Sequence, residues 1–319
     1  MLSTGLPFNP LRDQVYSPEE LFDAFQANDP TSYSRSADIA ILSYFWGMGA
    51  NPTRQSGAST LEALHDNSIS KAVQNIIATA PKIVAIMGGN GMVRKDDAYA
   101  NVANIAYELS RKGFLVTSGG GPGAMEATHL GVLFSKRSSD ELKAAIELLK
   151  SVSALPSNAN KLVKNDGSID GEIAKTLHAW LAPAFTILEN FPVEQRGASL
   201  GVPTWLCGYE PTTPFATHSA KYFQNSIRED GLVTMGVSGI IYAEGSAGTI
   251  QEIFQDAAQN YYDKFYPMVF LSSAAAAGEH YWEKKLPVRP LIQALLGSKP
   301  GFKNVLFTDD VHEVITFFP

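Results

Sequence analysis

Two short glycine-rich stretches constrain this chain more than any other feature of its sequence. Residues 118–123 read Ser-Gly-Gly-Gly-Pro-Gly, and residues 244–249 read Glu-Gly-Ser-Ala-Gly-Thr. Each follows an apolar run, 114–117 or 238–243, and each leads into a helical pattern. Strand, glycine turn, helix is the repeating unit of a parallel α/β sheet with right-handed crossovers. A third unit opens at 82–87 (Lys-Ile-Val-Ala-Ile-Met), followed by Gly88-Gly89-Asn90-Gly91. After it, Ala100, Ala103, Ala106 and Leu109 share one helical face over 96–112, and Gly113 is the expected stop.

The same reading predicts further strands at 202–207, 267–271 and 304–307, and helices over 217–231, 250–262 and 281–296. Residues 136–200 interrupt the alternation with polar, helically spaced sequence such as 140–151, and are expected to be a helical insertion. Residues 1–80 are expected to be an N-terminal extension with helical patches at 17–27 and 68–80. Ser17 before Pro18 is a good N-cap there. The expected organisation is therefore an extension (1–80) followed by one α/β domain (81–319).

Composition narrows the partners. The 319 residues carry 25 Lys plus Arg against 32 Asp plus Glu, a formal net charge of −7. Such a chain has no global attraction for nucleic acid or anionic membrane. Hydrophobic residues at 45% suffice for a full core. The single cysteine, Cys207, excludes an internal disulfide and a cysteine-cluster zinc site. Six scattered histidines show no ligand spacing, so neither a metal nor a cofactor is expected. No secretory pattern opens the sequence, and no apolar run approaches the ~18 residues of a membrane span. A cytoplasmic location is expected.

The two glycine loops carry the chemistry. Each is expected at the C-terminal end of a strand, where open parallel sheets bind ligands. Glycines let backbone approach a ligand, and the unpaired N–H groups of the first helical turn face an anion along the helix dipole. Gly245, Ser246, Ala247, Gly248 and Thr249 fit a phosphate, with the Thr249 hydroxyl as one more donor. Either loop alone is equally compatible with an empty strand-to-helix turn. Gly119, Gly121 and Ala124 also match G-x-G-x-x-A, which keeps an NAD(P)-dependent oxidoreductase open. Against that, the loop follows the second strand of the unit, and no ribose-binding carboxylate stands about 20 residues on.

Together, Ser118-Gly-Gly-Gly-Pro-Gly-Ala-Met125-Glu-Ala127 and Gly245-Ser-Ala-Gly-Thr-Ile-Gln-Glu252 resemble the GGGxxGxM and PGGxGTxxE motifs of the LOG-like family. That family is also labelled "possible lysine decarboxylase", but no lysine here sits in a pyridoxal-phosphate context. The opening Ile86-Met87-Gly88-Gly89-Asn90 resembles the family's first strand and loop. The resemblance spans about 82–135 and 200–315. It implies a Rossmann-like fold with helices on both faces, and a homodimer or higher homo-oligomer. It also implies cleavage of nucleoside 5′-monophosphates to free base and ribose 5-phosphate, with an AMP-like ligand.

By the same resemblance Glu252 would stabilise positive charge on the sugar, and Arg228 would orient phosphate or base. Gly119, Gly120, Gly121 and Met125 would line the nucleotide, with Gly88, Gly89 and Asn90 near base or ribose. On residue chemistry alone, without the resemblance, Glu252 reads better as a solvated, dipole-favoured acidic residue of a first helical turn. Three positions depart from the family pattern: Glu244, Ser246 and Glu229 replace proline, glycine and lysine. Carboxylates beside an anion oppose its binding, which keeps open a non-catalytic nucleotide-binding or cofactor-carrier protein on the same fold.

Overall fold

The computed structural model describes residues 5–48, 55–206, 210–273 and 280–319. Its centre is a seven-stranded, all-parallel sheet in the order β4-β3-β2-β1-β5-β6-β7. The strands are β1 (Ile83–Met87), β2 (Leu115–Ser118), β3 (Ser199–Gly201), β4 (His218–Ser219), β5 (Ile240–Tyr242), β6 (Met268–Leu271) and β7 (Val305–Thr308). The chain winds outward from β1 through β2 and β3 to β4, then returns to the other side of β1 with β5.

Alternation along the strands divides the core in two. Val84, Ile86, Val116, Ile241 and Val269 face one layer, with the helices Asp97–Arg111 and Ala124–Leu133. Ala85, Met87, Tyr242, Met268 and Phe270 face the other, with the helices Asn225–Met235 and Ala247–Tyr262. All five β1 residues are buried, as a strand covered on both faces requires. The fold is therefore the expected Rossmann-like α/β sheet with helices on both faces.

The N-terminal residues add to the second layer: Phe8, Tyr16, Tyr33, Ile69 and Val73 are part of its core. Two buried polar links fix them to the segment preceding Asn225–Met235. Lys221 Nζ donates to Asp38 Oδ1 (2.6 Å), which also accepts from Trp205 Nε1 (2.9 Å). Asp66 accepts the N–H groups of Phe223 (3.0 Å) and Gln224 (2.9 Å).

The 136–200 region supplies the helices Ser139–Lys150, with a Ser138/Glu141 capping box, and Gly171–Glu189. Arg94, in the loop after β1, ties the second of these to the sheet. It grips Glu126 with two hydrogen bonds (2.8 and 2.7 Å) and donates to the carbonyls of Val152 (3.1 Å) and Trp180 (2.9 Å). Tyr99 donates to the same Glu126 carboxylate at 2.9 Å.

Several expected elements differ. The strand expected over 202–207 forms earlier, as β3, and Cys207 lies outside the described residues. The helix expected over 217–231 begins at Asn225, after the edge strand β4. The helix expected over 281–296 is two helices, Tyr281–Lys284 and Arg289–Leu296, because Pro287 cannot continue the first. Only Pro18–Leu21 of 17–27 is helical, capped by the Ser17 hydroxyl. The patch at 68–80 belongs to a longer helix, Ser56–Ile77, whose Ser-Gly-Ala-Ser-Thr start has weak helical propensity.

Arg94 and Glu126 are 1% and 0% exposed, so removing one strands the other's charge in the core. Arg94→Ala is expected to cost about 3–5 kcal/mol of unfolding free energy, read by urea denaturation.

Candidate functional site

The loops that follow β1, β2 and β5 lock together at one edge of the sheet. The Gly89 N–H donates to the Glu244 carbonyl (2.9 Å), and the Ala124 N–H donates to the Gly89 carbonyl (3.2 Å). Side chains would prevent this approach: a Cβ on Gly89 would lie 3.0 Å from Gly245 Cα. At Gly123, φ is +70° and a Cβ would collide with the backbone of Gly89 and Asn90. The winding direction of the sheet reverses between β1 and β5, so these loops frame the crevice that open α/β sheets use for ligands.

At the outer end of the crevice lies the start of the helix Ala247–Tyr262. Its first backbone bond runs from the Ile250 N–H to the Ser246 carbonyl (2.9 Å). The preceding N–H groups of Ala247, Gly248 and Thr249 have no acceptor among the described residues, and Ser246, Ala247 and Gly248 are exposed. A cavity of about 300 Å³ adjoins Gly245 and Ser246 just before them, lined also by Gly89, Asn90, Glu244, Tyr281 and the ammonium-bearing Lys285. Asp96 also borders it, with one carboxylate oxygen already accepting the Val93 N–H (3.0 Å).

Both acidic departures are hydrogen-bonded to other parts of the chain, although Glu244 also borders the cavity at this turn. Glu244 accepts from the Ser273 N–H (2.8 Å) and from the Ser273 hydroxyl. Glu229 accepts from the side-chain amides of Gln251 (2.6 Å) and Asn225. Their charge is therefore partly engaged by donors of the protein.

The inner end gathers Arg228, Glu252, Met125, Asn90 and Glu210. Arg228 Nε donates to the Val202 carbonyl (3.1 Å), and Nη1 pairs with Glu252 Oε1 at 3.7 Å. Its Nη2 and the Met125 sulfur press on Gly119, leaving no room there for a Cβ. Glu210 Oε1 accepts from Asn90 Nδ2 at 2.7 Å, while Oε2 lies over Gly121. Burial pushes the Glu252 carboxyl up to about 7; Arg228 opposes the rise, and Glu229 and Glu210 add to it. Burial also raises Glu210, held back by Arg228, the Asn90 hydrogen bond and Lys221.

The residues singled out from the sequence thus divide by position. Gly245–Thr249 form a turn whose tip, Ser246, Ala247 and Gly248, is exposed while Gly245 and Thr249 are buried, and Gly89 and Asn90 line the adjoining cavity. Gly88 lies beneath, packed on Ala124 and Ala243. Gly119, Gly120 and Gly121 are buried: Pro203 covers Gly120, whose carbonyl accepts the Thr213 N–H (2.9 Å), and Glu210 covers Gly121. The first glycine loop is roofed by its own chain, whereas the second is open.

Sequence reasoning missed Glu210, Tyr281 and Lys285. Glu210 stands in irregular sequence and meets Asn90 from 120 positions away, so no local pattern marks it. Among the described residues no group of three His, Cys, Asp or Glu side chains could hold a metal ion. No described helix is long and apolar enough to cross a membrane.

No family model matches this sequence, and no curated protein matches it. Two solved structures are similar in chain path. The molybdenum cofactor binding protein from the phototrophic bacterium Rippkaea orientalis is 12% identical, with 74% of this chain and 93% of that chain covered at a TM-score of 0.40. The molybdenum cofactor carrier protein from Chlamydomonas reinhardtii is 12% identical, with 74% and 94% covered at 0.41.

Buried carboxyls make the stability pH-dependent. Burial holds both Glu252 and Asp256 near 7, above their unfolded values of 4.5 and 3.8. The folded state therefore binds more protons, and stability present at low pH is lost as pH rises from about 4 through about 7. Melting temperature should fall over that window. Glu252→Gln should flatten the decline, as thermal denaturation at stepped pH would show.

Proposed function

We propose that this protein binds a phosphorylated, nucleotide-type small molecule in the crevice between the β1 and β5 loops. The observation that carries this reading is the unpaired start of the helix Ala247–Tyr262, whose preceding residues Gly245 and Ser246 line a cavity together with Lys285. The outer end of the crevice offers the unpaired amides of Ala247, Gly248 and Thr249, directly after the Gly245 and Ser246 that line the cavity with Lys285. Its inner end offers Arg228, Glu252 and Asn90. Backbone amides at a helix start, with a nearby ammonium, suit a phosphate monoester. The inner end suits a polar group of sugar or base.

Binding without turnover is the principal reading, because Glu244, Ser246 and Glu229 replace the residues of the motif this chain resembles and burial raises the Glu252 carboxyl. A carboxylate that stabilises a ribosyl cation must be ionised. Arg228 is partly balanced by Glu252 and occupied by the Val202 carbonyl, so orienting base or sugar fits it better than holding phosphate.

The Arg228–Glu252 pair favours a second reading, hydrolysis of a nucleoside 5′-monophosphate. Water oxygen would bond to the anomeric carbon while the N-glycosidic bond breaks. Its electron pair would leave with the base, and the proton released by the water would balance that charge. Ionised Glu252 would stabilise the cationic sugar between these events. Under this reading base release rises as pH passes through about 7, where Glu252 ionises. The homodimer implied by the LOG-like resemblance is proposed with either reading and is tested by light scattering.

AMP is expected to raise the melting temperature of the wild-type protein. Ser246→Asp, at the helix N-cap, should leave the fold intact while its carboxylate occupies the same amides. It should weaken AMP binding about tenfold or more by calorimetry. Release of free base from AMP, lost in Glu252→Gln with AMP binding retained, would establish the hydrolytic reading; unchanged AMP would leave the carrier reading. No binding of any nucleoside monophosphate would end both.

A further inference from the structure

We propose that the cavity between the helices Ser56–Ile77 and Asn225–Met235 is a second binding site, for a hydrophobic amine: an apolar chain or ring that carries one ammonium group. The cavity shares no lining residue with the one at the 245–249 turn, and the proposal stands apart from the reading of that turn.

The two helices leave a space of about 670 Å³ between them, within the range of small-molecule pockets. Its floor is apolar: Val73, Ile83, Val202, Met235 and Tyr222 line it and are each at most 7% exposed. Ile77 and Ile227 add to its walls, one from each helix. The Tyr222 hydroxyl is turned onto Ser70 (3.4 Å). A contiguous apolar surface of this kind gains free energy when an apolar group displaces the water over it.

Gly231 keeps the space open. It lies in the middle of the helix Asn225–Met235, where glycine weakens a helix relative to alanine. Gly131, inside the helix Ala124–Leu133, has a packing reason, because a Cβ there would strike the Ala103 carbonyl. Gly231 has no such neighbour: a Cβ would meet nothing within 4 Å, and the residue lines the cavity. Its missing side chain therefore leaves room in the cavity rather than admitting another backbone.

Charge selects the occupant. Among the described residues Asp230 is the one charged group on the lining. One of its carboxylate oxygens accepts from the Gln255 side-chain amide (3.0 Å), and the other has no donor among the described residues. Asp230 is exposed, so it stands at the mouth while the buried apolar residues form the floor. No cation lines the cavity to hold a carboxylate or a phosphate. An ammonium paired with Asp230, with its apolar body seated behind it on the floor, is complementary to both parts.

Displacement of the fluorescent probe N-phenyl-1-naphthylamine by decylamine, 1-decanol and decanoate, from wild type, Gly231→Leu and Asp230→Asn, tests this. Wild type is expected to bind the probe, and decylamine to displace it at about fivefold or more lower concentration than decanoate, with decanol between them. Gly231→Leu should weaken probe binding about tenfold or more while the melting temperature holds or rises, since leucine both fills the space and favours the helix. Asp230→Asn should retain the probe and bring amine and carboxylate within about twofold of each other. That variant decides the result if Gly231→Leu fails to fold. Unchanged probe binding in a folded Gly231→Leu would overturn the site. Equal displacement by amine and carboxylate in wild type would overturn the amine as its occupant. No probe binding to wild type would overturn both, and a dimer in light scattering that Gly231→Leu breaks would then assign this face to a second copy of the chain.

Discussion

The hydrogen bond from the Gly89 N–H to the Glu244 carbonyl joins the loops after the two central strands, β1 and β5. It forms only because Gly89 and Gly245 bring bare backbone against bare backbone. Ala124 extends the link to the β2 loop by donating to the Gly89 carbonyl. Once these loops are locked, the start of the helix Ala247–Tyr262 is held beside Asn90, with its first amides facing outward. The Arg94–Glu126 pair reinforces this lock from beneath, by binding the β1 loop to the helix that follows the β2 loop.

Electrostatics then give the crevice a direction. Formal charge suggests that Glu244 and Glu229 oppose an anion at the second glycine loop, yet both carboxylates are turned onto donors of their own chain. The outer end keeps unpaired amides and the Lys285 ammonium, with Asp96 and Glu244 on the same cavity. The inner end concentrates carboxylates around one arginine, and their burial lifts Glu252 toward neutrality.

Much of the sheet was legible in the sequence because its central strands are apolar runs ended by glycine. β1, β5 and β6 carry Ile, Val or Phe at buried positions and read directly. β3 and β4 did not, because Ser199-Leu200-Gly201 and His218-Ser219 have little intrinsic strand character. Their extended state is set by pairing, such as Val116 with Ser199, a tertiary constraint absent from any local window. The same distinction holds at the crevice. The second glycine loop, Arg228 and Glu252 were visible through motif and spacing. Glu210 was not, because it arrives from irregular sequence, and the roofing of the first loop by Pro203 and Glu210 is likewise a contact between distant segments.

The most direct measurement is a crystal structure of the protein with AMP bound at saturating concentration. The expected density places the phosphate within hydrogen-bond distance of the Gly248 and Thr249 amides. An empty 245–249 turn in AMP-soaked crystals would contradict it. So would AMP seated instead in the cavity of about 550 Å³ bounded by Pro122, Leu155 and Trp180.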